Sequence, residues 1–165
     1  MKHLLLASLL WLTALPALAA LDPALVRQLA AEDSDTKIAA IQQLGASASP
    51  EAARLLKAMA DDELLVAGET VFVMADDKAL DAATGAVLSP APEVFEAIAV
   101  NNRIRSELGN ALAALKLFDP DRAVRLAAAN ELQSNAGLEL VPVLAQAMAK
   151  ESDAKIKALL TQAHA

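Results

Sequence analysis

The sequence predicts a mostly α-helical fold, built of repeated helical hairpins and interrupted once by a small β-hairpin insert. Three observations carry this reading. Alanine and leucine dominate while only three Phe, one Trp and no Tyr occur, a composition that suits close-packed helices better than a sheet sandwich. Three stretches repeat one pattern of an Asp, a basic residue four positions on, and small or apolar residues at helical spacing: DSDTKIAAIQQL (Asp33 to Leu44), DPDRAVRLAAANEL (Asp119 to Leu132) and SDAKIKALLTQAHA (Ser152 to Ala165). Finally, the first two copies lie 88 residues apart and the last two only 32, so structure of another kind stands between the first and the second.

The chain opens on MKHLLLASLLWLTALPALAA. Lys2 and His3 form a weakly basic start, Leu4 to Leu15 an apolar run, Pro16 breaks it, and Ala17-Leu18-Ala19 supplies small residues for a signal peptidase. Residues 1–20 are therefore expected to be a secretory signal, cut after Ala19 or Ala20, and residues 21–165 the exported domain. The apolar run falls short of the ~20 residues a spanning helix needs, and no other segment offers a transmembrane run. At 165 residues and 56% hydrophobic content the chain is long and apolar enough for one domain with its own core.

Each repeat copy has a physical logic. An Asp ahead of a helix accepts hydrogen bonds from the free N–H groups of its first turn, and Val124, Ala128 and Leu132 recur every four residues as one buried stripe. A second amphipathic helix follows in the complete copies. In the first it is SPEAARLLKAMAD, with Ser49 as cap and Pro50 at the first helical position; in the second it is LELVPVLAQAMAK, whose Leu140, Val141, Leu144, Ala147 and Met148 share a face and whose Pro142 is tolerable only near the first turn. Superposing Asp33, Asp121 and Asp153 aligns Lys37, Arg125 and Lys157.

The inserted region changes character. Val71, Phe72 and Val73 are strand formers, Asp76-Asp77 and Thr84-Gly85 are turn signals, and Ala86-Val87-Leu88 is a second short apolar run. A β hairpin or three-stranded flap over about 66–92 is the expectation. From about Asn101 to Leu117 the pattern is helical again, with Ile104, Leu108, Leu112 and Leu115 as core stripe.

The residue inventory narrows the chemistry. Without cysteine there is no disulfide framework, thiolate zinc site or thiol nucleophile. His3 and His164 stand at opposite ends of the chain, and no phosphate-binding glycine loop, Ser-His-Asp set or paired catalytic carboxylates can be assembled. No cofactor, metal or catalytic residue is therefore expected. Asp61-Asp62 and Asp76-Asp77 lack the alternating ligands of a calcium loop and read as solvated turns; Met59, Met74 and Met148 read as core filler. The net charge is −7, and −8 with 13 basic against 21 acidic residues once Lys2 is removed, which argues against nucleic acid as a partner.

One stretch departs from the acidic, alanine-rich background. In VNNRIR (Val100 to Arg105), Asn101 or Asn102 can cap a helix, and Arg103 and Arg105 then lie in its first turn. Cations there oppose the helix dipole and call for another partner. They either pair with acids of the insert, such as Asp76, Asp77 or Asp81, and pin it to the helices, or they meet a ligand or partner. Asn101, Asn102, Arg103 and Arg105 are thus the candidate interaction or insert-anchoring residues.

The repeat pattern resembles HEAT-like α-solenoid repeats. Taken in order, the signal segment, the helical pair, an insert containing DAATGAVL (Asp81 to Leu88), VNNRIRSELGNALAAL (Val100 to Leu115) and LFDPDRAVRLAAANEL (Leu117 to Leu132) resemble the extracytoplasmic N-terminal region of the permease subunit of urea ABC transporters. The resemblance implies an exported, periplasmic, non-catalytic interaction module. Its partners would be the periplasmic solute-binding protein and the membrane permease of a urea (branched-chain-amino-acid-type) transport system. The permease region itself is absent from these residues; if they belong to the longer subunit, the domain is held at the inner membrane. A free-standing periplasmic HEAT-like scaffold for an unrelated protein is the alternative.

Overall fold

The computed structural model describes residues 20–135, 137 and 140–164; apart from Ala20, the segment read as a secretory signal lies outside the described residues. The fold is mostly helical, with a small antiparallel sheet set between helices. In chain order the elements are α1 (Pro23–Gln28), α2 (Ser34–Ala46), α3 (Pro50–Ala60), β1 (Leu64–Ala67), β2 (Thr70–Ala75), β3 (Lys78–Asp81), β4 (Glu96–Ala97), α4 (Asn102–Lys116), α5 (Arg122–Asn135), α6 (Val141–Lys150) and α7 (Ala154–His164).

The helix starts are those that local chemistry dictates. Asp33 accepts from the Thr36 N–H at 2.8 Å, Asp121 from the Ala123 N–H at 2.7 Å, and Asp153 from the Lys155 and Ile156 N–H groups at 2.9 and 3.0 Å. Ser49 caps α3 with Pro50 in its first turn, and Pro142 sits in the first turn of α6, where its missing N–H costs nothing. Ahead of them, Asp22 caps the short α1, and the Leu21 N–H donates to the Ala83 carbonyl of the insert at 2.9 Å.

The helices fall into two units of the same plan. In the first, α2 lies along α4 and α3 packs on α4; in the second, α5 lies along α7 and α6 packs on α7. Both long pairs are parallel, because contacts join their N-terminal ends (Asp35 with Arg103, Asp153 with Arg122) and, near their other ends, Gly45 meets Ala111 and Gln133 bonds Gln162. The units share a helix. Ile104, Leu108, Ala111 and Leu115 of α4 belong to one core with Ile41, Leu44, Leu56 and Met59, while Ala113, Ala114 and Leu117 belong to a second with Leu132, Leu144, Ile156 and Leu160.

The insert is larger than the predicted flap, a four-stranded antiparallel sheet in the order β3-β2-β1-β4 that runs from Leu64 to Ala97. Its helix-facing side carries Leu64, Val66, Val71 and Val73, all packed into the first core. Strand alternation places Leu65, Phe72 and Met74 on the other side. This corrects the reading of Met74 as core filler, for it is 46% exposed, whereas Met59 is buried. The run Ala86-Val87-Leu88 forms no named strand but borders β3, with the Leu88 N–H on the Ala79 carbonyl and an isolated bridge from Val87 to Leu80. Since Leu88 sits at the β3 edge and Glu96 at the opposite edge beside β1, residues 89–95 must cross the sheet. Phe95 shows by which side: its ring stands edge-on to Phe72, centroids 5.6 Å apart, and Phe72 is fully buried.

Candidate functional site

The first turn of α4, which carries the candidate residues, docks on the first turn of α2. Asn101 is the cap: its Oδ1 accepts from the Ile104 N–H at 2.9 Å, and its amide donates to Ser34 Oγ at 3.1 Å. Arg103 pairs with Asp35 across the two helices. Asn102 begins the helix and is exposed, and the exposed Arg105 side chain makes no ion pair or hydrogen bond among the described residues.

Neither arginine meets the acids of the insert. Asp81 is engaged locally, its Oδ1 accepting from the Ala83 and Thr84 N–H groups and the Thr84 hydroxyl at 3.1, 2.8 and 2.8 Å. Asp76 and Asp77 form the tight β2–β3 turn, both exposed and both at positive φ (50° and 61°), as a two-residue primed hairpin turn requires. The physical reason for the difference is that the acidic first turn of a neighbouring helix lies closer. Asp35 complements the α2 dipole and Arg103 together, and offsets the unfavourable placement of a cation at a helix start.

What anchors the insert is Lys37, the basic residue of the first repeat copy. Its Nζ donates to the Ala99 carbonyl at 3.0 Å, and the residue is only 6% exposed. Burial holds its amine below the usual lysine range, because a desolvated ammonium facing a neutral carbonyl recovers only part of its hydration. Arg125, at the equivalent place in α5, makes a two-point contact with Glu151 at 2.8 and 3.3 Å and also donates to the Asp119 and Pro120 carbonyls. That guanidinium, aided by the Ser152 and Asp153 N–H groups, holds the buried Glu151 carboxyl below its usual range. Both cations reach the same spot in their units, three residues ahead of the next parallel helix: Ala99 before Asn102, Glu151 before Ala154.

Sequence reasoning aligned Lys37, Arg125 and Lys157 but missed a fourth member. Asn101 and Arg105 stand to α4 as Asp33 and Lys37 stand to α2, cap and basic residue four apart. An Asn in place of the Asp hid the match. Arg105 and Lys157, in the two helices that receive a cation's forward contact, are both exposed.

Two further surfaces stand out. A groove of about 350 Å³ lies between α3 and the sheet, floored by Leu55, Ala58, Val73 and Leu80, with Glu51, Arg54 and Glu63 at its margin. On the sheet's other side Phe95 and Met74 are about half exposed, and Val94, just ahead of β4, is 87% exposed. Among the described residues no group of three or more His, Cys, Asp or Glu side chains is placed to hold a metal ion, and no helix is long and apolar enough to cross a membrane. Fold and site together define a helical domain with an inserted four-stranded antiparallel sheet and a cation-anchored junction between them. No family model, no curated protein and no solved structure matches this chain.

Proposed function

We propose that the protein is an exported, non-catalytic interaction module. The observation that carries this is the tandem of two like-built units sharing α4, with the sheet pinned to the first of them by Lys37 and with Met74, Val94 and Phe95 exposed on or beside the sheet. A helical platform bearing a small sheet with exposed apolar residues at its margin suits recognition of another macromolecule, since exposed apolar surface next to charged rims marks such sites. The parallel packing of repeat helices capped by Asp or Asn supports the HEAT-like reading, in which stacked pairs build extended binding surfaces.

The particular system is proposed on the resemblance alone. VNNRIR and the Asp81 to Leu88 stretch point to the periplasmic N-terminal region of urea-transporter permease subunits, so the partners are the solute-binding protein and permease of that system. The full chain, expressed in its native host and crosslinked in intact cells, is expected to enrich both. Enrichment of neither, at a crosslinking yield that captures a known periplasmic pair, rejects the urea assignment.

A further inference from the structure

Strand β4 ends the sheet, and among the described residues no further strand pairs with its outer edge. Its inner bonding is defined by the Ile98 N–H, which donates to the Leu64 carbonyl at 3.1 Å. In an antiparallel ladder, bonded and non-bonded pairs alternate. The register Leu65 with Ala97 is therefore a non-bonded pair on this side, and the N–H and C=O groups of Ala97, with the C=O of Phe95, point away from the sheet. Residues 93–97 are all exposed. The opposite edge is different, for β3 is bordered by Ala86 to Leu88.

The side chains along this edge alternate in kind. Phe95 and Ala97 lie on the same side as Phe72, Glu96 on the other, and Glu93 and the 87%-exposed Val94 lead into the strand. Charge is one-sided as well: from Ala79 to Asn102 there is no Lys or Arg, only Asp81, Glu93 and Glu96. At two residues β4 is a short edge, and the charges beside it, Glu93 and Glu96, are of one sign, so an approaching strand of opposite charge is favoured over one of like charge.

We infer that β4 is a docking edge for an extended polypeptide segment of a partner protein in which apolar and basic residues alternate, added to the sheet as a fifth strand. Backbone pairing to Phe95 and Ala97 supplies the register. Apolar partner residues lie opposite Phe95 and Ala97, and a lysine or arginine lies opposite Glu96. A second copy of the same chain is the poorer occupant, because it would bring Glu93 and Glu96 against their own like charges on molecules that each carry a net −7. Lys37, by fixing Ala99, holds the outgoing end of β4 in place.

The inference rests on the interaction-module reading but not on urea transport. The test uses the protein as it exists, with an end-blocked seven-residue peptide of alternating Val and Lys as probe, followed by amide-resolved NMR. Expected are saturable binding, slowed hydrogen exchange at the Ala97 amide, and no binding of the Val/Glu counterpart. Ala97→Pro removes one outward N–H without touching the inward bonds and should weaken binding by about tenfold. N-methylation of the peptide's pairing amides should do the same to the unaltered protein, which covers the case of a proline variant that fails to fold. No saturable binding, or binding unaffected by both changes, overturns the proposal, as does peptide-free dimerisation that protects the Ala97 amide. If cell crosslinking captures the transport partners while the peptide shows no saturable binding, the interaction module stands and the edge falls. If the peptide binds at the edge while crosslinking captures neither partner, the edge stands and the urea assignment falls.

Discussion

The two helical units share a plan, and they differ in how they close it. In the first, Gly45 lets α2 and α4 touch backbone to backbone: a Cβ built on it would lie 2.8 Å from Ala111 Cβ and 3.0 Å from Ala111 Cα. In the second, the position equivalent to Gly45 is Gln133, which bridges to Gln162 on α7 instead. The cation at the head of each unit differs in the same sense. Lys37 is buried against a neutral carbonyl, whereas Arg125 is paired with a carboxylate. The sheet is the reason. In the first unit, α3 and α4 are separated by the insert, and the segment returning from it presents only backbone at Ala99. In the second, α6 passes to α7 through three residues, the first of them Glu151. One helical frame thus accepts an insert, provided the cation switches from pairing with charge to satisfying backbone.

The sharpest test of equivalence is at the core. Leu44 and Leu132 occupy the same position after their caps and are 1% and 0% exposed. Truncating either to Ala should cost about 2–5 kcal/mol. Because α4 contributes to both cores, calorimetry should show one cooperative transition in each variant; two separated transitions would mean that the units are independent despite their common helix.

Next comes the close crossing. In a helix interior Gly→Ala ordinarily gains roughly 0.5–1 kcal/mol. Here Gly45→Ala should lose stability, by an amount in the about 1–3 kcal/mol range of overpacked cores, and Ala111→Gly in the same chain should restore most of it. Gln133→Ala, at the matching place, should change chemical denaturation by no more than about 0.5 kcal/mol. A neutral or stabilising Gly45→Ala would show that the two crossings do not differ as described.

The cations separate the units further. Arg125→Met strands the Glu151 carboxylate and should lower Tm by several degrees. Lys37→Met removes a desolvated charge together with one hydrogen bond and should lower Tm less. Their pH responses run in opposite windows. Glu151 is held below its unfolded value, so its contribution is fully present above the usual glutamate range and is lost as pH falls through the lower, folded value. Lys37 is also held low, but as a base: the unfolded chain binds the extra proton, so stability rises with pH through the window between the folded and unfolded lysine values. Denaturation midpoints should therefore fall on acidification in a manner abolished by Glu151→Gln, and should rise toward alkaline pH in a manner abolished by Lys37→Met.

The smallest effects belong to the residues that the sequence made most conspicuous. Arg105→Ala should leave Tm unchanged. Arg103→Ala should cost no more than about 1 kcal/mol, the ordinary value of an exposed ion pair, since Arg103 and Asp35 are 64% and 73% exposed. A large loss from either, read by thermal denaturation, would show that these arginines carry more of the fold than an exposed side chain should.

How legible this molecule was depended on the range of each interaction. Caps at Asp33, Ser49, Asp121 and Asp153, the tolerated prolines and the Asp76-Asp77 turn were all readable, because each is settled within four residues by a capping hydrogen bond or by local backbone conformation. β1 was not. Leu64-Leu65-Val66-Ala67 directly follows an alanine- and leucine-rich helix and carries no alternation, since its neighbours bury or cover both sides. β4 is two residues long, and only its pairing with Leu65 and Val66 makes it a strand.

The sequence by itself therefore determined the helical class, the places where helices start, and the fact that one stretch between the first two copies is built differently. These follow from local hydrogen bonding and periodicity, which act over a few residues. Tertiary structure alone decided that Arg103 would meet Asp35 and not the insert, that Lys37 would be the buried cation, that Gly45 marks the closest helix approach, and that β4 presents an open edge. Each of those depends on groups some 30 to 70 residues apart in the chain. Burial, contact distance and strand register arise only when the fold brings such groups together.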